Sequence, residues 1–221
     1  MNIYTIYSES HAELFDEFRN NLWEDAVLLT KRAPQLCSGN YGSEGSTDFW
    51  KLSIDYFIEI CEQETEPFLY ADCDVMFMKD PTKDLEKRIE GRDLVAQLDK
   101  RICGFPQICT GIMCIRPTWA VKEMLYYIRD PRKNRLGYHS QSPIVKYGND
   151  QKAINKYLTY HPFKVRWDVL PKTYYSINYD NGNKVWDGRG LKLKTRPYYA
   201  FHLNWTIGIE NKIRLWELWN S

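Results

Sequence analysis

The sequence lacks the features that mark membrane-spanning, secreted and nucleic-acid-binding proteins. It has no apolar run long enough to span a bilayer, and Met1 to Tyr7 lack the basic region and long apolar run of a signal peptide. Its 30 Lys and Arg nearly balance its 29 Asp and Glu, for a net charge of +1, so it lacks the positive excess of nucleic-acid-binding proteins. We therefore expect a soluble, cytoplasmic protein with no membrane span and no nucleic-acid partner.

Paired cysteines, glycine-rich phosphate loops and interdomain linkers are also missing. None of the six cysteines belongs to a CxxC pair, and several lie in apolar runs, which favours buried thiols in a reducing compartment over disulfides. No Gly-rich loop of the kind that binds nucleoside triphosphates is present. A chain of 221 residues that is 43% hydrophobic predicts one domain spanning residues 1–221.

Predicted strands and helices alternate along the chain. Strands are expected at 3–7, 24–30, 68–77, 93–98, 110–116, 163–170 and 198–203. Helices are expected at about 10–22, 47–61, 82–90, 119–129, 150–158 and 209–219, the first opened by a capping-box spacing from Ser10 to Glu13. Such alternation is typical of an α/β/α sandwich with a mostly parallel, Rossmann-like central sheet. Ligands of such sheets bind beyond the carboxyl ends of the strands.

Two aspartates one residue apart interrupt the most apolar predicted strand. Asp72 and Asp74 follow Phe68 to Ala71, and apolar residues continue after them. Ionised carboxylates in an apolar environment are costly unless a cation balances them, and oxygen ligands of this kind suit Mg²⁺ or Mn²⁺ with a phosphate-bearing ligand. The alternative is that either aspartate only caps the turn after the strand.

Three further places combine polar side chains with strand or helix ends. His202 ends a short apolar strand and is followed by Gly208 and Lys212, so the histidine could bind the same metal and the lysine a phosphate. A lone strand histidine can equally be a hydrogen-bonded core residue. Thr110 and Gly111 open another strand, where a glycine allows close approach of a ligand or only relieves crowding.

The last of these places, Asp150-Gln151, opens a predicted helix. By itself it is explained by Asp150 acting as the helix N-cap.

In this order the four motifs resemble those of the DxD-type nucleotide-diphospho-sugar glycosyltransferases of the GT-A fold, especially the glycogenin and bacterial lipopolysaccharide galactosyltransferase group. The resemblance runs from the first strand to the last helix. The compact chain also looks like small viral transferase domains, including those of large algal viruses, which would act in the host cytoplasm. It implies a single GT-A domain whose residues 1–100 bind the nucleotide and whose residues 101–221 bind the sugar and the acceptor.

The resemblance assigns a metal site and a nucleotide site. The metal, Mn²⁺ or Mg²⁺, would be bound by Asp72, Asp74 and His202 and would bridge the donor diphosphate. Gly208 and Lys212 would clamp that diphosphate, although the family's galactosyltransferases usually continue this lysine with Pro-Trp and here Ile213-Arg214 follow. The implied nucleotide-binding residues are Thr5, Ile6, Tyr7 (a stacking surface for uracil), Asp72 and Lys212.

The resemblance also implies a donor-sugar site and a reaction. The implied sugar-binding residues are Lys51, Thr110, Gly111, Asp150 and Gln151. The family's reaction moves a sugar, here from a UDP-sugar, to a glycan or other hydroxyl acceptor with retention of anomeric configuration. In that case the leaving phosphate oxygen accepts the acceptor's proton and Gln151 lines the opposite face of the sugar. In an inverting enzyme, Asp150 would be the base.

Two other classes compete with this interpretation. A metal-dependent phosphohydrolase or nucleotidyltransferase could use the same aspartates, but the further clustered carboxylates of a two-metal site are missing. A non-catalytic carbohydrate-binding module would explain the 8 Trp and 16 Tyr, but not the aspartate pair. The aromatic segments at 138–147 and 174–186 would contact the acceptor, or equally pack a small lobe.

Overall fold

The structure, a computed structural model, describes residues 1–35, 46–130, 150–176, 198–204 and 208–220. Its strands are β1 (Asn2–Tyr7), β2 (Val27–Arg32), β3 (Phe68–Ala71), β4 (Val75–Phe77), β5 (Leu94–Ile102), β6 (Phe105–Ile115), β7 (Trp167–Val169), β8 (Tyr174–Ser176) and β9 (Ala200–His202). Its α-helices are α1 (Ala12–Asn20), α2 (Ser46–Gln63), α3 (Thr82–Ile89), α4 (Trp119–Arg129), α5 (Asp150–Tyr160) and α6 (Ile209–Asn220), and a 3₁₀ turn (Glu9–His11) precedes α1.

The main sheet has six strands in the order β2-β1-β3-β6-β5-β7. β1 pairs in parallel with β2 and β3, and β5 pairs in parallel with β7. β6 is antiparallel to both of its neighbours, β3 and β5, so the other five strands share one direction. The prediction of a mostly parallel central sheet in a single α/β domain is confirmed.

Alternating side chains of the central strands pack on opposite faces of this sheet. On β3, Leu69 and Ala71 join a core with residues of α1, α3 and α6, whereas Phe68 and Tyr70 join a second core with residues of α2, α4 and α5. A strand buried on both faces needs apolar residues at every position, and β3 has them. The resulting arrangement is the predicted α/β/α sandwich.

The predicted strand at 68–77 is divided between two sheets. β3 belongs to the main sheet, while β4 lies in a three-stranded sheet of order β4-β9-β8. The residues between them form a turn in which the N–H of Val75 donates to the carbonyl of Asp72 at 3.1 Å. The division places both aspartates at the junction of the two sheets, and Cys73 between them belongs to the apolar core.

The segment predicted as two strands and a loop at 93–116 is one hairpin of β5 and β6. Cys103 and Gly104 have φ angles of 49° and 84°, and Ile102 pairs with Phe105 across them. Two successive residues of positive φ match the right-handed twist of the flanking strands, so the strands continue to the turn. The two predicted strands are therefore separated by a two-residue turn, and both extend further than predicted, β5 to Ile102 and β6 from Phe105.

The predicted capping box of the first helix was also wrong. Helix α1 begins at Ala12, after the 3₁₀ turn, and no side chain caps it. The Ser10 hydroxyl instead lies 3.1 Å from Nδ1 of His11 and accepts a hydrogen bond from Gln35 at 3.1 Å. The short polar side chain of Ser10 therefore hydrogen-bonds to neighbouring side chains rather than to the N–H groups at the start of the helix.

Within the described ranges no helix has the length and apolarity needed to cross a bilayer. The five cysteines of these ranges, Cys61, Cys73, Cys103, Cys109 and Cys114, are free thiols. The predicted acceptor segment at 138–147, residues 177–186 of the second one, and Cys37 lie outside the described residues.

Replacing Phe57 with Ala tests the core between α2 and the sheet. Phe57 is fully buried and its ring meets that of Tyr70 edge to face, with centroids 4.6 Å apart. We expect Phe57→Ala to lower the free energy of unfolding by about 3–5 kcal/mol in urea denaturation. Phe163→Ala is the control because Phe163 is 97% exposed, and we expect it to stay within about 0.5 kcal/mol of the parent. Equal losses in the two variants would contradict this packing.

Candidate active site

Three side chains that could bind a metal converge where the β3–β4 turn meets β9. Nε2 of His202 lies 3.0 Å from Oδ1 of Asp74 and 3.9 Å from Oδ2 of Asp72. One ligand atom from each of the three residues can be chosen so that all lie within 4.8 Å of one another. We call these three residues the triad. It is the only such group of His, Cys, Asp or Glu among residues 1–35, 46–130, 150–176, 198–204 and 208–220.

Backbone pairing explains why the triad forms. β4 is antiparallel to β9 with Val75 opposite His202, and the N–H of Leu203 donates to the carbonyl of Asp74 at 3.0 Å. On the other side, the N–H of Asp72 donates to the carbonyl of Gly111 on β6 at 2.9 Å. Both aspartates are thus fixed by main-chain bonds to different sheets, so their carboxylates meet in one place.

Gly111 lies directly against the triad, where a side chain has no room. A Cβ atom there would be 2.0 Å from Cε1 of His202 and 2.8 Å from Oδ2 of Asp72. The pairing of β5 with β6 shifts here, from Ala96 opposite Met113 to Gln97 opposite Cys109, so β6 bulges beside the triad. The sequence left open whether Gly111 allows close approach of a ligand or relieves crowding; the structure shows crowding by the triad side chains, and contact with a ligand stays a prediction.

Charge in the site is concentrated on one buried carboxylate. Asp74 is 6% exposed, and Nζ of Lys212 on α6 lies 2.5 Å from its Oδ2. Burial raises the pKa of Asp74, but Lys212 and His202 lower it more, so its net shift is downward and it is ionised. Burial lowers the pKa of His202 and of Lys212, and Asp74 raises both more strongly, so both net shifts are upward.

Asp72 differs from Asp74 in its surroundings. Its side chain is 43% exposed, and its Oδ1 accepts a hydrogen bond from the Tyr70 hydroxyl at 3.0 Å. Partial burial and repulsion by Asp74 raise the pKa of Asp72, against the attraction of His202. A cation between the two aspartates would remove this repulsion.

Two observations show that the triad fits a divalent cation. Oδ1 of Asp74 is buried and receives no hydrogen bond although Nε2 of His202 is only 3.0 Å away, so the two atoms face a common point rather than each other. The missing side chain of Gly111 allows His202 and Asp72 to come together at this point, because an added Cβ would overlap both. Carboxylate oxygens with one imidazole nitrogen are ligands that Mn²⁺ and, less readily, Mg²⁺ accept.

The residues predicted to bind the donor sugar lie next to the triad on β6 and α5. The Thr110 hydroxyl bonds to Asp150, whose Oδ1 accepts the N–H of Gln151 at 2.8 Å. Burial, with repulsion by Asp72 second, raises the pKa of Asp150 to about 7. Nε2 of Gln151 donates to Oδ2 of Asp99 at 3.3 Å. Asp150, at the start of α5, thus interacts electrostatically with the triad through Asp72.

Asn155, one turn further along α5, locks this helix to β6. Its amide donates to and accepts from the main chain of Ile108, both at 2.7 Å, and also donates to the carbonyl of Gln151 at 2.9 Å. A buried amide bonded on three sides fixes the position of the helix start.

The three residues of β1 that were predicted to bind the nucleotide differ in what their side chains contact. Thr5 is buried and its hydroxyl has no hydrogen-bond partner within the described part of the chain, so it can accept or donate one. Ile6 belongs to the apolar core. One face of the Tyr7 ring is stacked on Phe15, with centroids 3.9 Å apart, and the residue is partly buried.

The remaining predicted residues lie at helix starts. Gly208, with a φ angle of 89°, precedes α6, and its carbonyl accepts the N–H of Lys212 at 3.3 Å. Lys51 lies in the second turn of α2, exposed and 2.9 Å from Asp48. Its predicted contact with the donor stays a prediction.

Several residues that contact or face the triad were not predicted from the sequence. Polar residues inside otherwise apolar strands, with no characteristic spacing, give no motif to find. The residues that contact the triad are Tyr70, Gln97 and Cys109, and Asp99 contacts Gln151 next to it. His11 is another, since its electrostatic coupling to Lys212 and Asp74 places it beside the site. The only available signal was its position just after β1, at the predicted ligand-binding edge.

The Rossmann-like sheet thus carries at its carboxyl edge an Asp-Asp-His triad that could hold a metal ion, with a lysine beside it. The sequence model of the nucleotide-diphospho-sugar transferase family matches residues 29–215. The chain belongs to this family. No protein of curated function matches it significantly.

Solved structures agree in fold. Mouse xyloside xylosyltransferase 1 is 11% identical with a TM-score of 0.56, over 94% of this chain and 98% of that one. The galactosyltransferase LgtC, solved with donor and acceptor sugar analogues, is 15% identical with a TM-score of 0.57, over 97% and 95%. A glycosyltransferase involved in glycosylating the major capsid of PBCV-1 is 13% identical with a TM-score of 0.56, over 98% and 100%. The fold is therefore that of GT-A glycosyltransferases.

Replacing Gly111 with Ala tests the geometry of the triad. The added Cβ would overlap His202, so we expect Gly111→Ala to weaken Mn²⁺ binding, measured by the electron paramagnetic resonance signal of free Mn²⁺, by at least about tenfold. Gly104→Ala is the control, since its φ of 84° strains any side chain but no atom lies within 4 Å of the added Cβ. It should lower stability and leave Mn²⁺ binding unchanged. Unaltered binding in Gly111→Ala would show that the triad is arranged differently.

The raised pKa of Asp150 predicts a pH dependence of stability. Between its ordinary pKa of about 3.9 and the folded value of about 7, the folded protein holds a proton that the unfolded chain has lost. The contribution of Asp150 to the free energy of unfolding of the metal-free protein should therefore fall as pH rises through this window. Urea denaturation at several pH values should show a smaller fall in Asp150→Asn. Parallel pH curves for the two proteins would contradict the raised pKa.

Proposed function

We propose that this chain is a metal-dependent glycosyltransferase that moves a sugar from a UDP-sugar to a hydroxyl group of a glycan or glycoconjugate acceptor, with retention of anomeric configuration. The observation that carries the proposal is the triad, with Lys212 against it, in a member of the nucleotide-diphospho-sugar transferase family. Two buried or partly buried carboxylates need a cation, and a donor diphosphate is the ligand that such a cation would share with them.

Asp72, Asp74 and His202 would hold Mn²⁺, or alternatively Mg²⁺. When bound, the ion supplies Lewis-acid stabilisation of the diphosphate leaving group. Lys212 adds a second positive charge, and its ammonium is only 18% exposed, so its interaction with phosphate oxygens would be weakly screened. Gly208, whose positive φ shapes the start of α6, would let the main chain approach the same phosphates.

The donor sugar would lie against Thr110, Gly111, Asp150 and Gln151, with Lys51 reaching it or the phosphates from α2. In a retaining reaction the leaving oxygen takes the acceptor's proton on the face where the bond breaks. Gln151, held by Asp99, would then line the opposite face of the sugar ring and stabilise the positive charge that develops there. Asp150, with a pKa of about 7, would be the base if the reaction inverts.

The nucleotide would bind to residues 1–100 and the sugar and acceptor to residues 101–221. Support comes from Thr5, whose buried hydroxyl lacks a partner within the described ranges, and from Tyr7, an aromatic ring at the end of β1 that is not fully buried. We further infer a reducing compartment such as the cytoplasm, because the five described cysteines are free thiols. An acceptor site in the aromatic segments remains a prediction on residues mostly outside the described ranges.

Nucleotide binding tests this proposal directly. Calorimetric titration with UDP and with GDP, each with and without Mn²⁺, should give Mn²⁺-dependent binding of UDP. Asp74→Asn should weaken it by more than the 10–100-fold typical of losing a partner of a metal ligand. The control is Asp93→Asn, a carboxylate that is also buried but bonds to Arg166 at 2.9 Å near the start of β5. If UDP does not bind in the presence of any of the divalent metals tested, the proposal is contradicted.

Donor turnover tests the chemistry. A panel of UDP-sugars incubated with Mn²⁺ should show slow hydrolysis of one donor in the parent and none in Asp72→Asn, and nuclear magnetic resonance of the transferred sugar should show the donor's anomeric configuration. An inverted product would replace the retaining mechanism with one that uses Asp150 as base. Tight sugar binding that is unchanged in Asp72→Asn would instead indicate a carbohydrate-binding module.

A further inference from the structure

Gln97 is a fully buried amide on β5 that contacts the ring of His202. Its Oε1 lies 2.7 Å from Nδ1 of His202, on the side of the ring away from the two aspartates. An amide in an apolar core needs partners for all of its polar atoms, so its position there calls for an explanation. The main-chain pairing supplies the position, since the shift in β5–β6 register falls between Ala96 and Gln97.

The partners of the amide nitrogen fix which way Gln97 is turned. Nε2 lies 2.9 Å from the carbonyl oxygen of Tyr175 and 3.2 Å from that of Tyr174. Carbonyl oxygens only accept hydrogen bonds, so the NH₂ group must lie on their side and Oε1 must face the imidazole.

The orientation of Gln97 in turn fixes the protonation of the ring. Oε1 can only accept, so Nδ1 of His202 carries the hydrogen and donates it. The neutral ring then has its lone pair on Nε2, the atom that lies 3.0 Å from Asp74 and 3.9 Å from Asp72. The thiol of Cys109, 3.6 Å from Nδ1, is a longer and weaker contact.

We propose that Gln97 is a positioning residue that holds His202 in the tautomer able to ligate the metal and anchors it to the main chain of β8. The inference rests on the proposed metal-dependent function. Without an acceptor at Nδ1, the ring can place its hydrogen on Nε2, which would then have no lone pair to offer to the cation. Partners of this kind set the tautomer and basicity of metal-binding histidines.

Two substitutions of similar volume separate this role from a purely structural one. Gln97→Met removes the acceptor for Nδ1 and both donors to the Tyr174 and Tyr175 carbonyls. Gln97→Glu keeps the acceptor and loses the donors. The measurement is the Mn²⁺ concentration that half-saturates calorimetric binding of UDP, with thermal denaturation of each metal-free protein beside it.

We expect both variants to unfold at lower temperature, because both leave the two carbonyls without their partner. The half-saturating Mn²⁺ concentration should rise about 10–100-fold in Gln97→Met and stay within the parent's order of magnitude in Gln97→Glu. Asp93→Asn, which loses a buried hydrogen-bonded carboxylate remote from the triad, should lower stability and leave that concentration unchanged.

The outcomes distinguish failure of the inference from failure of the proposed function. If the parent binds UDP only with Mn²⁺ and Gln97→Met keeps the parent's Mn²⁺ requirement, the positioning role is overturned while the glycosyltransferase proposal stands. An equal rise of the half-saturating Mn²⁺ concentration in Gln97→Met and Gln97→Glu would also overturn it. The rise would then follow the loss of stability that the two variants share, and not the loss of the acceptor for Nδ1. A parent without Mn²⁺-dependent UDP binding overturns both.

Discussion

The site depends on one constraint, which is that the negative charge of two carboxylates at the junction of two sheets must be neutralised. Asp74 is nearly buried beside Asp72, and neither carboxylate has a cationic partner within its own segment of chain. The compensating groups come from β9 and α6, near the other end of the sequence. The small sheet, the bulge of β6 and the docking of α6 together meet one electrostatic requirement. They bring His202 and Lys212 to a carboxylate that is largely shielded from water.

The same constraint links the two sides of the proposed donor site. Asp72 belongs to the triad and also raises the pKa of Asp150. A cation bound at the triad would therefore change the protonation of Asp150, at the start of α5, without contacting it. Binding of a cation at the triad would thus be coupled to the protonation of Asp150. In the proposed enzyme, the state of the residue beneath the sugar depends on whether the diphosphate end of the site is filled.

Much of this could be read from the sequence because strands that end in polar residues bring those residues to one edge. The alternation of strands and helices predicted the sandwich, and the order of Asp72, Asp74, His202 and Lys212 predicted which side chains would meet. What failed was local. The sequence around the two aspartates does not indicate that the residues after them pair with β9. It also does not indicate that β5 and β6 continue up to a tight turn at Cys103 and Gly104.

Gln97 and Asp99 could not be found from the sequence, because a single polar residue in an apolar strand has many possible partners and only the folded register selects one.

The contact between Asp74 and Lys212 joins residues 138 positions apart. In the unfolded chain that separation is a large loop, and its closure entropy must be overcome before the ammonium and the carboxylate attract each other. The charge on Asp74 is therefore balanced by Lys212 only when α6 docks, through the buried Trp216 and Leu215, onto a sheet made mostly of strands from the first half of the sequence. A nascent chain whose α6 has not yet been made would hold the triad without the ammonium group that neutralises Asp74.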